Sequence, residues 1–262
     1  MLPGTKWHQD SQSAYRSTSL IYEDTVIRAV RPTEIATSIT RSAITRSARW
    51  PWTKSRRCVI LGTSNSLWLP TIGALASPIG CVSIFPKSVK KVCLMDIAPT
   101  LTMYRRTNQE FATKYMWWFF LIQAAPLPEH LIGLDPQYYL QTILSGLNKT
   151  PGAITPEALS EYRRCFCCTS TIHGGCEDMR ASADIGLEMD GADDCAGNKI
   201  VAPVHALWGA NNTVGQSWDV LATWRAKATS TVTGRSLDCG HFLQEERPEE
   251  TIEELQRFFG TV

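Results

Sequence analysis

The sequence predicts an α/β domain, a mostly parallel sheet flanked by helices, with a block of helices inserted between two of its strands. Three observations carry that prediction. Short apolar runs, VCLMDI beginning at Val92 and VHALWG beginning at Val204, have the length and composition of strands buried on both faces. The residues between them are punctuated as helices. A further strand-like stretch ends in Cys239-Gly240-His241 and is followed by an amphipathic helix.

Taken in order, VCLMDIAPT (Val92–Thr100) is a strand that stops at Pro99, with Asp96 at its C-terminal end. In open parallel sheets that end is where ligands and catalytic groups collect. A helix cap or turn acid is the other reading of Asp96. A helix follows from Thr107, reading NQEFATKYMWWFFLIQ; it is too aromatic for a surface helix and suits a pocket wall or a helix interface. Pro126 and Pro128 end it. DPQYYLQTILSGL and TPEALSEYRRCF are further helices, the second with Thr155 as N-cap and Pro156 at its first position. This block, about residues 107–190, reads as a helical cap. The sheet resumes in KIVAPVHALWGANN and then in STVTGRSLDCGHF. EETIEELQRFF closes with Ile252, Leu255, Phe258 and Phe259 on one helical face.

The bulk numbers bound the function. At 262 residues, 44% apolar and net charge +1, the chain suits one α/β domain with an insertion. Residues 1–90 hold 12 Lys/Arg against 4 Asp/Glu, whereas residues 91–262 hold 14 against 21. Acids interrupt the basic stretch and its arginines follow no helical stripe, so neither a nucleic-acid arm nor a targeting peptide is indicated. Nine cysteines without a signal peptide point to free thiols and a cytoplasmic location. Cys165, Cys167, Cys168, His173 and Cys176 match no common zinc spacing, and no metal or cofactor is expected. The longest apolar run, Tyr115 to Ile122, is too short to span a bilayer.

The order strand-acid, helical insertion, strand, strand-His, helix belongs to α/β-hydrolases, where nucleophile, acid and His follow on successive strand ends. His241, after a glycine in a late loop, is placed as a general base should be, with Asp96 to orient it. A solvated loop histidine is the alternative.

DIAPT, YMWWFFLIQAAPLPE, IGLDP, IHGGCEDMRASADIGLEMD and the closing GHF resemble the haloacetate (fluoroacetate) dehalogenases, relatives of the soluble epoxide hydrolases. The resemblance covers Pro86 to Phe259. It implies an aspartyl nucleophile that displaces halide to give an ester, and a His, held by a second Asp, that activates water to cleave it. His241 and Asp96 would be that pair. Trp118 matches the family Trp whose N–H cradles the leaving halide, with core packing as its other reading, and Trp117 stands beside it. Three positions depart from the defluorinating enzymes. Trp117 replaces a His, Met179 a Tyr and Leu147 a further pocket Trp. The pocket therefore suits a bulkier halide, an epoxide or an ester better than fluoroacetate. The resemblance also implies a homodimer acting on a small molecule.

Before Pro86 the family motifs are absent: no HGFP loop, no GHDRG elbow and no G-x-S-x-G. His173-Gly174-Gly175 lies in the helical insertion instead. Reading the third base of each codon with the first two of the next, and choosing among synonymous codons, permits family-like text with an HDxR elbow in their place. Thr33–Ser38 permits GDSDK, Ala43–Trp50 permits NYSKRTM, and Arg49–Leu69 permits MALDQVEAMRHLGYEQFLVA. Pro70–Phe85 permits HDWRTRIAYRLRLDF, which runs into the in-frame PKSVKK. Residues 1–85 are thus expected to be an aberrant, poorly ordered segment, out of frame from about residue 30 and leaving apolar sheet edges bare, with a genuine novel subdomain as the other reading. Residues 86–262 would be the C-terminal part of the hydrolase domain. On this reading the chain lacks its nucleophile. It is either an inactive hydrolase of this type or a non-catalytic remnant that binds a partner.

Overall fold

The computed structural model describes residues 61–63 and 91–259. Among the described residues four strands form one parallel sheet in chain order: β1 (Leu61–Thr63), β2 (Val92–Met95), β3 (Val204–Gly209) and β4 (Val232–Leu237). Register runs Val92↔Val204 to Met95↔Leu207 between β2 and β3, and Val204↔Val232 to Gly209↔Leu237 between β3 and β4.

One expectation is corrected at the sheet edge. The remaining strands are expected to expose apolar edges, yet on one side of β2 the edge is covered by β1, Leu61 opposite Cys93 and Thr63 opposite Met95. A ladder is made by backbone groups, so three extended residues satisfy it whatever their side chains. The other residues of 1–85, with almost all of the shifted-frame segments, lie outside the described residues.

Eight helices separate β2 from β3: α1 (Thr100–Arg105), α2 (Gln109–Lys114), α3 (Met116–Leu121), α4 (Leu127–Leu134), α5 (Pro136–Leu147), α6 (Pro156–Phe166), α7 (Thr169–Ala183) and α8 (Ile185–Ala196). They begin before residue 107 and end after 190. The single aromatic helix expected from Thr107 is two. Asn108 caps α2, accepting from the Phe111 N–H at 2.8 Å. Tyr115 then leaves helical dihedrals (φ −109°, ψ 31°), so the chain turns before Trp117 and Trp118 enter the core. The proline stretch ends α3 but starts α4, with Pro128 in its first turn, where a missing N–H costs nothing. Asp135 and Thr155 cap α5 and α6 through their side chains.

After β3 come α9 (Thr213–Ser217) and α10 (Val220–Arg225); after β4 come α11 (Leu243–Glu246) and α12 (Pro248–Phe259). Alternation along the strands divides the core. Val92, Leu94, Val204 and Ala206 join the helical insertion in one large cluster. Cys93, Met95, Leu207 and Leu237 face the other way, onto Leu243 and Leu255, with Phe258 and Phe259 packed against them. No helix among the described residues is long and apolar enough to cross a membrane.

Within the insertion, α4 and α7 are joined by charge. Arg180 donates to both oxygens of Glu129, at 2.8 and 2.9 Å. The guanidinium holds Glu129 well below its ordinary 4.5, at about 2. A depressed carboxyl stabilises the fold fully above its unfolded value and less as pH falls through the folded one. Thermal stability should therefore fall between pH 4.5 and 2, and Glu129→Gln should flatten that slope. Melting curves of both proteins across this range check it; parallel slopes would contradict it.

Candidate active site

β2 ends in a bend at Asp96, whose backbone takes φ +50°. This left-handed conformation is rare for a residue with a Cβ, although Asp adopts it more readily than most. It persists only where neighbours over-determine it, and here they do. The Asp96 N–H donates to the Leu207 carbonyl at 2.7 Å, continuing the ladder one residue beyond β2. Trp224 Nε1 donates to the Ile97 carbonyl at 2.9 Å and pins the next peptide.

The Asp96 side chain is fully buried. Its Oδ1 accepts the Gly209 N–H at 3.0 Å, and its Oδ2 accepts both Asn212 Nδ2 and His241 Nδ1 at 2.5 Å. Acid and His, 145 residues apart, thus meet across the C-terminal end of β3, Asp96 following β2 and His241 lying in the loop after β4. Donation from Nδ1 leaves His241 Nε2 with its lone pair free to take a proton, the tautomer a general base requires. His241 is itself 2% exposed, with the Phe242 ring edge-on at 5.1 Å. Glycine at the end of β3 allows this closeness, since a Cβ on Gly209 would stand 1.8 Å from the Gly240 carbonyl oxygen.

No family model matches the chain. Over 176 residues it is 32% identical to a fluoroacetate dehalogenase from Burkholderia sp, a match covering 67% of the chain and 57% of that protein. Over 133 residues it is 31% identical to a soluble epoxide hydrolase from Corynebacterium sp. (strain C12), covering 50% and 44%. The chain therefore spans about half the length of the curated relatives it matches. The crystal structure of a candidate alpha/beta hydrolase from Nostoc sp PCC 7120 superposes with a TM-score of 0.71. Identity there is 44%, covering 80% of this chain and 68% of that one. The chain belongs to the α/β-hydrolase superfamily.

In this chain Trp117 and Trp118 are both buried, in an aromatic cluster with Tyr104, Phe111 and Tyr115. Their rings meet edge to face at 5.9 Å. Neither indole Nε1 has a hydrogen-bond partner among the described residues. Buried donors left this way are costly and unusual, because burial removes water and nothing replaces it. The cluster is continuous with the core that holds Ile97, Leu147 and Phe242, and Met179 packs against the same core.

The cysteines at 93, 165, 167, 168, 176, 195 and 239 are free thiols. His173, grouped in the sequence with four of them, instead faces Glu129 at 3.2 Å on the insertion surface. Glu129, His173 and Glu177 could bracket a metal ion, but Arg180 already donates to both carboxylates. His173-Gly174-Gly175 is interior to α7 and has no oxyanion-loop geometry.

Sequence reading missed Asn212 and Gly209. The signal was present in WGANN, a strand end followed by glycine and two amides. Asn212 precedes α9 without capping it, because its side chain is engaged by Asp96 instead.

Proposed function

We propose that this chain carries the water-activating half of a haloacetate dehalogenase-type site, and that it lacks the nucleophile because the elbow lies in the shifted-frame segment. The observation that carries the reading is the wholly buried Asp96–His241 pair at the C-terminal edge of the sheet. In the complete reaction a nucleophilic carboxylate attacks the carbon bearing halogen, and the carbon–halogen bond breaks to release halide and leave an ester. Water then gives a proton to His241 Nε2 and adds to the ester carbonyl. The tetrahedral intermediate expels the alkoxide of the 2-hydroxy acid, which takes the proton back. Asp96 holds the imidazole in register and stabilises its protonated form. The unpartnered N–H groups of Trp118 and Trp117 supply donors for a leaving halide.

Trp117, Leu147 and Met179 favour chloride, bromide, an epoxide or an ester over fluoride, the poorest leaving group. The unaltered chain should release no halide from chloro- or bromoacetate above a His241→Ala control, since water activation alone forms no ester. Ion chromatography of the reaction measures this, and halide released in a His241-dependent way would overturn the missing-nucleophile reading.

A second reading, a non-catalytic chain that pairs through its helical insertion, draws on the exposed stripe of Leu127, Leu131 and Leu134 with Tyr138. Sedimentation of the purified chain, as monodisperse dimer or as aggregate, separates a binding protein from a broken gene product.

A further inference from the structure

We infer that Glu246 is the positioning residue of this site, a buried carboxylate that fixes the backbone on both sides of His241 and ties it to the helical insertion. The inference rests on the reading of His241 as the base.

Glu246 lies at the end of α11 and is 4% exposed. Its Oε2 accepts the Gly240 N–H at 2.8 Å and the Lys149 N–H at 2.9 Å, and its Oε1 accepts the Phe242 N–H at 3.1 Å. The intervening His241 N–H donates to the Leu147 carbonyl at 3.1 Å. All three consecutive N–H groups of the loop are thereby accounted for, two by one carboxylate and one by the end of α5. Bonds to a charged acceptor are about twice as strong as neutral ones. They replace the water that a loop of this kind would otherwise take.

The interlock is close-fitting. A Cβ on Gly240 would come 2.2 Å from the Leu147 oxygen and 2.8 Å from Glu246 Oε1. The neighbouring residues strengthen it. Tyr162 on α6 donates its hydroxyl to Glu245, and Arg247 Nη1 donates to Thr150 Oγ1 at 3.2 Å. One short turn after the base therefore grips the insertion at three places. The hydrogen bonds that Glu246 accepts all come from backbone N–H groups, so it acts on His241 through the loop. Its consequence is that the angle of the imidazole on Asp96 depends on where the α5 terminus sits.

The test uses the full-length chain labelled with ¹⁵N-histidine, and reads the downfield Nδ1 proton shared between His241 and Asp96, assigned by its loss in His241→Ala. In Glu246→Ala, exchange of this proton with water should quicken about 10- to 100-fold, the worth of one of the three charge-assisted hydrogen bonds that the variant loses. The His205 ring signals and circular dichroism should stay native. Glu246→Gln retains the shape and one acceptor oxygen, and should fall between the two. If Glu246→Ala does not fold, the Gln variant alone decides. A role confined to stability would lower the melting temperature and leave the exchange rate of the folded protein unchanged; that result overturns the inference and spares the reading of the pair. Absence of the proton in the unaltered chain overturns both.

Discussion

In a chain rebuilt on the proposed reading frame and carrying the HDxR elbow, Asp96→Asn is expected to lower turnover on the order of 10⁴-fold, and His241→Ala to abolish it. The asparagine keeps the shape of the side chain but presents an amide N–H where Oδ2 accepts from His241 Nδ1. The imidazole then either turns away or moves its proton to Nε2, and in both cases it cannot take a proton from water. Gly209 and Asn212 bond the same carboxylate, so the substitution also disturbs the ends of β3 and α9. Halide release and hydroxy-acid formation are the readouts, with chloro- and bromoacetate turned over ahead of fluoroacetate. An Asp96→Asn variant that retained most of the parent rate would show that His241 works without its partner.

Asp96→Ala in the unaltered chain costs about 3–5 kcal/mol of folding stability, the usual result of removing one member of a buried pair. Three donors lose their acceptor together: the Gly209 N–H, Asn212 Nδ2 and His241 Nδ1. Alanine also tolerates the left-handed backbone at this position less well than Asp does. Denaturant midpoints at constant slope measure the difference. A loss below ~1 kcal/mol, typical of a surface substitution, would mean that the pair is not the buried keystone described above.

Much of the fold beyond residue 91 was legible because its strands are buried on both faces and read as unbroken apolar runs, as in VCLM and VHALWG. Asp96 and His241 were legible by position, each at a strand's end. The division of the aromatic helix at Tyr115 was not, since propensity and apolar period both favour continuing it, and the break follows from where Trp117 and Trp118 must pack. Glu246 was hidden for another reason. An acid in QEERPEE reads as a solvated helix start, and only the fold turns it inward onto backbone N–H groups from positions 149, 240 and 242. β1 escaped notice because three residues are too short a run to show a strand pattern.

The most direct test is the mass of the restored chain bearing His241→Ala after incubation with chloroacetate. With the base removed, the ester should form and persist. The account predicts one added carboxymethyl group per chain, located by peptide mapping on the aspartate of the HDxR elbow, with one halide released for each. A folded, restored protein that stays unmodified, while its His241-intact parent hydrolyses neither haloacetates nor small epoxides, would contradict it.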